Sequence, residues 1–216
     1  MKASTYAAVA TVLMTTTAPI ALGAPHELNL INPASPTPGE RVKVDFSVRS
    51  GTLIVHFDVK TAKVNPKIDP SELYNGDVVE IFLNTTASKG LRPYYEFEVS
   101  PYDQQLLVKI TDANGKPHFD EKWTLKSFRH SVKLDKTKPG WEATMEIPLA
   151  DIGWQGKTEE LTGNAFAIIG PKGDRRYYSL NLPKQDKPSF HKPEFFRPFD
   201  LEEAKAAETG GEANSE

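Results

Sequence analysis

The chain has 216 residues, of which 38 % are hydrophobic and 25 % charged, a balance that fits one folded domain with short appendages and excludes a wholly disordered polymer. It contains no cysteine, which rules out structural disulfides, thiolate metal sites, a cysteine nucleophile and c-type haem attachment. The formal net charge is −3 and no basic face is evident, so a nucleic-acid partner is not expected.

Residues 1–23 carry the pattern of a signal peptide. Lys2 supplies a positive start, Tyr6 to Met14 an apolar run too short to span a bilayer, and Ala21-Leu22-Gly23 a small-x-small site that predicts cleavage before Ala24. The competing expectation is a disordered, threonine-rich N-terminus. No other stretch approaches membrane-spanning length, so no membrane span is expected and the leader predicts a secreted or periplasmic protein.

Pro25, Pro33, Pro36 and Pro38 predict an extended lead-in with at most one short strand over Glu27 to Ile31. From Arg41 a period of two dominates. VKVDFSV (Val42 to Val48) and LIVHFDV (Leu53 to Val59) each place four apolar residues on one face, and Ser50-Gly51 between them predicts a tight hairpin. Further strands are expected at Val78 to Leu83, Tyr94 to Val99, Leu106 to Ile110, Phe128 to Leu134, Trp141 to Ile147, Asn164 to Ile169 and Arg176 to Leu182. Turn signals at Asn75-Gly76, Asn114-Gly115, Pro139-Gly140 and Lys172-Gly173-Asp174 separate them. Pro148 to Gly153 predicts one short helical turn closed by its glycine. The fold class expected is all-β: a two-layer β-sandwich, jelly-roll or immunoglobulin-like, of about nine to eleven strands over residues 24–201. The tail over 202–216 holds five acids and one lysine and is expected to be a frayed helix or disordered.

Few motifs carry chemistry. A phosphate-binding loop, a dinucleotide fingerprint and a nucleophile elbow are absent. The five histidines, His26, His56, His118, His130 and His191, show no metal-binding spacing, which favours surface or hydrogen-bonded roles. Met145 falls on the apolar face of its strand and is expected in the core. Calcium stays open as a cofactor, with Asp103, Asp112 and Asp174 placed in turns that can donate oxygens, although turns often carry Asp without a metal.

The informative residues are carboxylates inside apolar strands. Glu80 interrupts VVEIFL, a run whose apolar residues on both faces predict a central strand, where a lone charge is costly. Glu96 and Glu98 share a strand face with Tyr94, while Tyr95, Phe97 and Val99 take the other. Such a face either accepts hydrogen bonds from ligand hydroxyls or is a solvated face with cross-strand ion pairs. A glycosidase pair is not evident, because Glu96 and Glu98 point the same way and do not flank a bond.

Several segments together resemble the family 9 carbohydrate-binding-module-like domains of the DOMON-like sandwiches. They are Tyr74 with Gly76 to Leu83, YYEFEVSP (Tyr94 to Pro101), GWEATMEIPLADIG (Gly140 to Gly153), G-N-x-F (Gly163 to Phe166) and RYYSLNLP followed by FHKPEFF (Arg176 to Phe196). The resemblance implies a non-catalytic module that binds saccharides on a concave sheet face, commonly beside a glycoside hydrolase. It also implies a sugar clamped between two tryptophans, and here Tyr74 stands at the first clamp position and Leu180 near the second. Glu98 stands where glucan binders carry a basic residue. The saccharide site so expected comprises Tyr74, Glu80, Glu98, Asn164, Arg176 and Tyr178, with Tyr177, Phe190 and Trp123 as further aromatic candidates for the missing clamp. The same superfamily leaves a haem-binding or redox-associated domain and a protein-interaction scaffold as alternatives.

Overall fold

The structure is a computed structural model that describes residues 24–85, 92–135, 137–157, 160–199 and 201–203. The expected leader, and the tail beyond Glu203, lie outside the described residues.

Two antiparallel sheets face each other, as the alternating pattern predicts. The first is six-stranded, with the order β1 (His26–Glu27), β3 (Arg41–Arg49), β4 (Thr52–Lys60), β10 (Trp141–Pro148) and β9 (Arg129–Lys133); β14 (Glu202–Glu203) lies parallel to β3. The second is eight-stranded, with the order β2 (Asn29–Leu30), β12 (Arg176–Ser179), β11 (Thr162–Ile169), β5 (Val78–Asn84), β6 (Tyr94–Val99), β7 (Gln105–Ala113) and β8 (Lys116–Asp120); β13 (Arg197–Pro198) pairs with β11.

The β3–β4 hairpin turns on Ser50 (φ 49°) and Gly51 (φ 75°). Two positive φ values in succession match the twist of the flanking strands, which is why the Ser-Gly signal identifies a hairpin. Asn114 (φ 55°) and Gly115 (φ 77°) do the same between β7 and β8. Strand β8 has no counterpart in the sequence expectation. Its residues KPHFD do not alternate and are mostly exposed, because it is an edge strand held by backbone pairing to β7. The single strand expected over Glu27 to Ile31 is instead two pieces in different sheets. Leu28, buried between them, marks where the chain crosses from one layer to the other.

The inner faces make one core. Val42, Val44 and Phe46 of β3, Leu53, Val55, Phe57 and Val59 of β4, and Trp141, Ala143, Met145 and Ile147 of β10 pack against the other sheet. That sheet contributes Val79, Ile81 and Leu83 of β5, Phe97 and Val99 of β6, and Ala165, Ala167 and Ile169 of β11. Pro148 to Gly153 forms the expected short turn, a 3-10 helix over Leu149–Ile152 that ends on Gly153 at φ 86°.

The eight-stranded sheet is also covered on its outer face, so β5 is buried at every position. A second apolar cluster forms there from Phe82, Tyr94, Phe166, Ile31 and Leu73, roofed by Phe190 and Phe196 of the C-terminal segment. Phe166 stacks on Phe190 with ring centroids 4.3 Å apart, and Tyr94 meets Phe196 edge-on at 5.3 Å. Two-sided burial explains why VVEIFL lacks alternation. Gly163 in β11 is required by close approach: a Cβ there would lie 2.2 Å from the Phe82 carbonyl oxygen and 2.5 Å from the Phe199 ring. No helix of the described residues is long and apolar enough to cross a membrane.

Candidate functional site

The covering of the outer face is incomplete beside the short helix Pro70–Asn75, and a cavity of about 290 Å³ opens there. Tyr74, Tyr177 and Phe190 form its walls, and Glu80, Glu96 and Phe82 line it from the sheet. Arg175, Ser189 and His191 add further polar lining.

Local sequence places Tyr74 at the rim. Asp69 caps the helix by accepting from the Ser71 backbone N–H at 2.9 Å and from its hydroxyl at 2.6 Å, with Pro70 in the first turn. Leu73 points inward and is fully buried, which leaves the next residue, Tyr74, facing out at 44 % exposure. Arg175 donates to the Asn75 carbonyl at 2.6 Å, tying the helix to the β11–β12 loop. Behind it, Asp77 accepts from the Asn65 backbone and side chain, both at 2.7 Å, and from Gly170 N–H at 2.8 Å.

Strand register places the acids. Glu80 of β5 pairs directly with Glu98 of β6, and Phe82 pairs with Glu96. All three carboxyls therefore sit on the outer face of the sheet's central strands and are buried. Burial drives the pKa of Glu80 well above the ordinary carboxylate range, and the nearby Glu96 charge adds to it. Glu98 is raised by burial, then by Glu80 and Glu96. Glu96 is pushed up to about 7 by burial, with a hydrogen bond from Glu98 opposing the rise and Glu121 adding to it. The Glu80 Oε1 and Glu98 Oε2 atoms are buried without a hydrogen-bond partner.

His191 bridges to this face. Its Nδ1 lies 3.0 Å from the Tyr94 hydroxyl, and its ring packs on Phe82 and on Phe119. Desolvation by these rings lowers its pKa and favours the neutral imidazole, although the residue as a whole keeps substantial exposure.

Of the residues expected to form the site, Tyr74 and Glu80 line the cavity and Glu98 adjoins Glu80 beneath it. Asn164 lies on the same sheet face but is fully buried behind the aromatic cluster, paired across the ladder with Phe82. Its Oδ1 accepts from Ser179 Oγ at 3.3 Å and from the Asn181 N–H at 3.1 Å. Arg176 and Tyr178 are placed elsewhere. The period of two turns them toward the opposite sheet, where Glu40 accepts from Arg176 Nε at 2.7 Å and Nη2 at 3.0 Å, and from the Tyr178 hydroxyl at 2.7 Å. Burial alone would raise the pKa of Glu40, but these bonds and one from Thr37 outweigh it and hold the carboxyl below its ordinary value.

Leu180, near the expected second clamp position, packs toward the inter-sheet core, as do Trp123 and Tyr178. Tyr177 and Phe190 supply the aromatic walls opposite Tyr74 instead. Arg175, His191 and Phe82 were not singled out for the site by the sequence. Arg175 was recoverable in principle from its position one residue before an alternating strand, whereas His191 comes from a segment with no periodicity. Asp103 and Asp174 lie in separate turns, whereas Asp112 belongs to strand β7 and pairs with Pro117, so the turn expected for it falls further on, at Asn114 and Gly115. Their protein partners are at 3.3 Å (His130), 3.2 Å (Arg176) and, for Asp112, 3.2 Å (Arg92).

No family model matches the chain. It is 31 % identical over 137 residues to the UPF0462 protein C4orf33 homolog of Rattus norvegicus and 33 % identical over 138 residues to that of Mus musculus. Each match covers 60 % of this chain, and the chain spans 61 % and 63 % of those relatives' lengths. Among solved structures, a Bacteroides uniformis protein proposed to bind carbohydrate superposes with a TM-score of 0.62 at 18 % identity, over 80 % of this chain and 84 % of its own. A family 9 carbohydrate-binding module of Caldicellulosiruptor kristjanssonii, solved in complex with cellotriose, superposes with a TM-score of 0.57 at 16 % identity, over 88 % and 89 %. The chain thus has the sandwich fold of the family 9 carbohydrate-binding modules.

Proposed function

We propose that this protein is an exported, non-catalytic saccharide-binding module, with one sugar ring seated between Tyr74 and the Tyr177–Phe190 wall. The observation that carries the reading is the cavity of about 290 Å³ that joins aromatic walls to a carboxyl floor on one sheet face. Aromatic faces suit the C–H faces of a sugar, and the carboxyl groups of Glu80 and Glu96 suit its hydroxyls. The volume lies at the lower end of ligand sites, roughly 300 Å³, which suits a single ring or a chain end more than a long glycan. The fold shared with a module solved with cellotriose supports the same class of ligand. Action beside a separate glycoside hydrolase, in carbohydrate breakdown, completes the proposal.

The test is a glycan-array screen of the protein beside Tyr74→Ala and Phe190→Ala variants. Binding of at least one glycan, weakened about thirtyfold or more by Tyr74→Ala, is the expected result, since an aromatic anchor that the bound sugar covers is worth about 2 kcal/mol. Absence of binding by the folded protein, or binding indifferent to both substitutions, would overturn the reading.

A further inference from the structure

The carboxyl cluster beneath the cavity has a geometry that saccharide binding does not require. One oxygen each from Glu80, Glu96 and Glu98 lies within 4.8 Å of the other two. Oxygens that share an ion at calcium–oxygen distances are separated by at most roughly 5 Å, twice the bond length. The cluster therefore fits around one ion without rearrangement of the sheet, because register alone brings Glu80 opposite Glu98 and sets Glu96 two residues along the same face.

The second observation concerns hydrogen bonding. Glu80 is 2 % exposed and Glu98 1 %, yet Glu80 Oε1 and Glu98 Oε2 meet no donor. Most buried carboxyl oxygens are satisfied, and an orphan of this kind calls for a partner such as a bound water or ion. Protons alone do not resolve it. A proton shared between Glu98 and Glu96 accounts for the hydrogen bond that joins them, but supplies nothing to the two orphaned oxygens.

The third observation is charge. Among the described residues, no lysine or arginine acts on any of the three groups, and the other charge that acts on Glu96 and Glu98 is a further acid, Glu121. Like charges set directly opposite in a sheet are destabilising, so above the raised pKa values of these acids a bound cation is what relieves the arrangement. Arg175, the cationic side chain in the cavity wall, is engaged with Asn75.

We propose that Glu80, Glu96 and Glu98 form a binding site for a single divalent, oxygen-preferring cation of the calcium class. An all-carboxylate set without thiolate or imidazole selects hard cations over copper or zinc. Three side chains leave several of calcium's six to eight positions for water or ligand hydroxyls, and Glu80 and Glu96 open toward the cavity from which these would come. The site shares Glu80 and Glu96 with the saccharide reading, but it rests on the carboxyl geometry and orphaned oxygens rather than on that reading.

The test is calorimetric titration of the full chain, stripped with EDTA, with calcium chloride and magnesium chloride at pH 8, paired with terbium luminescence sensitised by the nearby tyrosines. One calcium per chain is expected, with terbium displaced by calcium. Glu80→Gln combined with Glu98→Gln keeps side-chain shape and should weaken calcium at least tenfold, with folding verified by circular dichroism. Should the double variant not fold, Glu96→Gln serves in its place. Asp112→Asn, near the exposed end of β7, should leave the affinity unchanged. No heat or luminescence up to about 10 mM calcium, beyond the weakest class of extracellular calcium modules, would overturn the proposal, as would calcium binding that survives the substitutions. Glycan binding measured on the same samples separates the two readings: loss of either ligand class leaves the other standing.

Discussion

Glu96 offers the sharpest quantitative test of the buried carboxyl cluster. Its pKa rises from 4.5 to about 7 on folding, chiefly through burial. The folded protein therefore holds a proton that the unfolded chain releases, and stability falls as pH rises through this window. At roughly 1.4 kcal/mol for each pH unit, the loss by pH 8 is about 3 kcal/mol relative to pH 4.5. Glu96→Gln removes the charge while keeping shape and an acceptor for Glu98. In EDTA, urea denaturation should find this variant more stable than the parent by about 3 kcal/mol at pH 8, with the difference closing toward pH 4.5. Comparing the two proteins cancels the opposite effect of His191, whose depressed pKa favours folding as pH rises toward its ordinary value. A difference independent of pH, or a variant less stable at pH 8, would refute the account of these acids as desolvated and mutually repelling.

Other substitutions probe the framework. Glu40→Ala removes the bidentate partner of the buried Arg176 and leaves it only Asp174, and should cost about 3 kcal/mol by urea denaturation. In the parent, the stability that Glu40 supplies is present above its ordinary pKa and lost as pH falls through its lowered folded value, so the two denaturation profiles should converge in acid. Gly163→Ala places a methyl against the Phe82 carbonyl and the Phe199 ring, and should lower stability by about 1–3 kcal/mol, read as a reduced thermal midpoint. Tyr94→Phe removes the contact to His191 Nδ1 and should cost about 1 kcal/mol in equilibrium unfolding. Tyr74→Ala, at an exposed rim position, should change stability by no more than about 0.5 kcal/mol, so that any loss of ligand reports binding alone.

Much of the fold was legible because a strand half-buried against one core writes its burial as a period of two. VKVDFSV and LIVHFDV declared their faces, Ser50-Gly51 declared their hairpin, and Trp141 to Ile147 declared the strand beside them. The absence of alternation in VVEIFL correctly marked a central strand, and with it an expensive glutamate. Edge strand β8 and the divided β1–β2 segment were invisible to the same logic, since backbone pairing rather than side-chain burial holds them.

The candidate site was legible only in part. Sequence alone determined that Glu96 and Glu98 share one face of their strand and that Glu80 sits at an expensive position in its own, because alternation within a strand fixes which way a residue points. That Glu80 meets Glu98 was decided by the register of β5 on β6, which depends on distant pairing. Tertiary structure also decided that Arg176 and Tyr178 turn inward to Glu40, a partner 136 and 138 residues away in the chain. It likewise brought Phe190 and His191 over the sheet from a segment without periodicity. The physical reason is the same throughout: local chemistry sets the direction of a side chain relative to its own strand, whereas what lies opposite depends on how the strands associate.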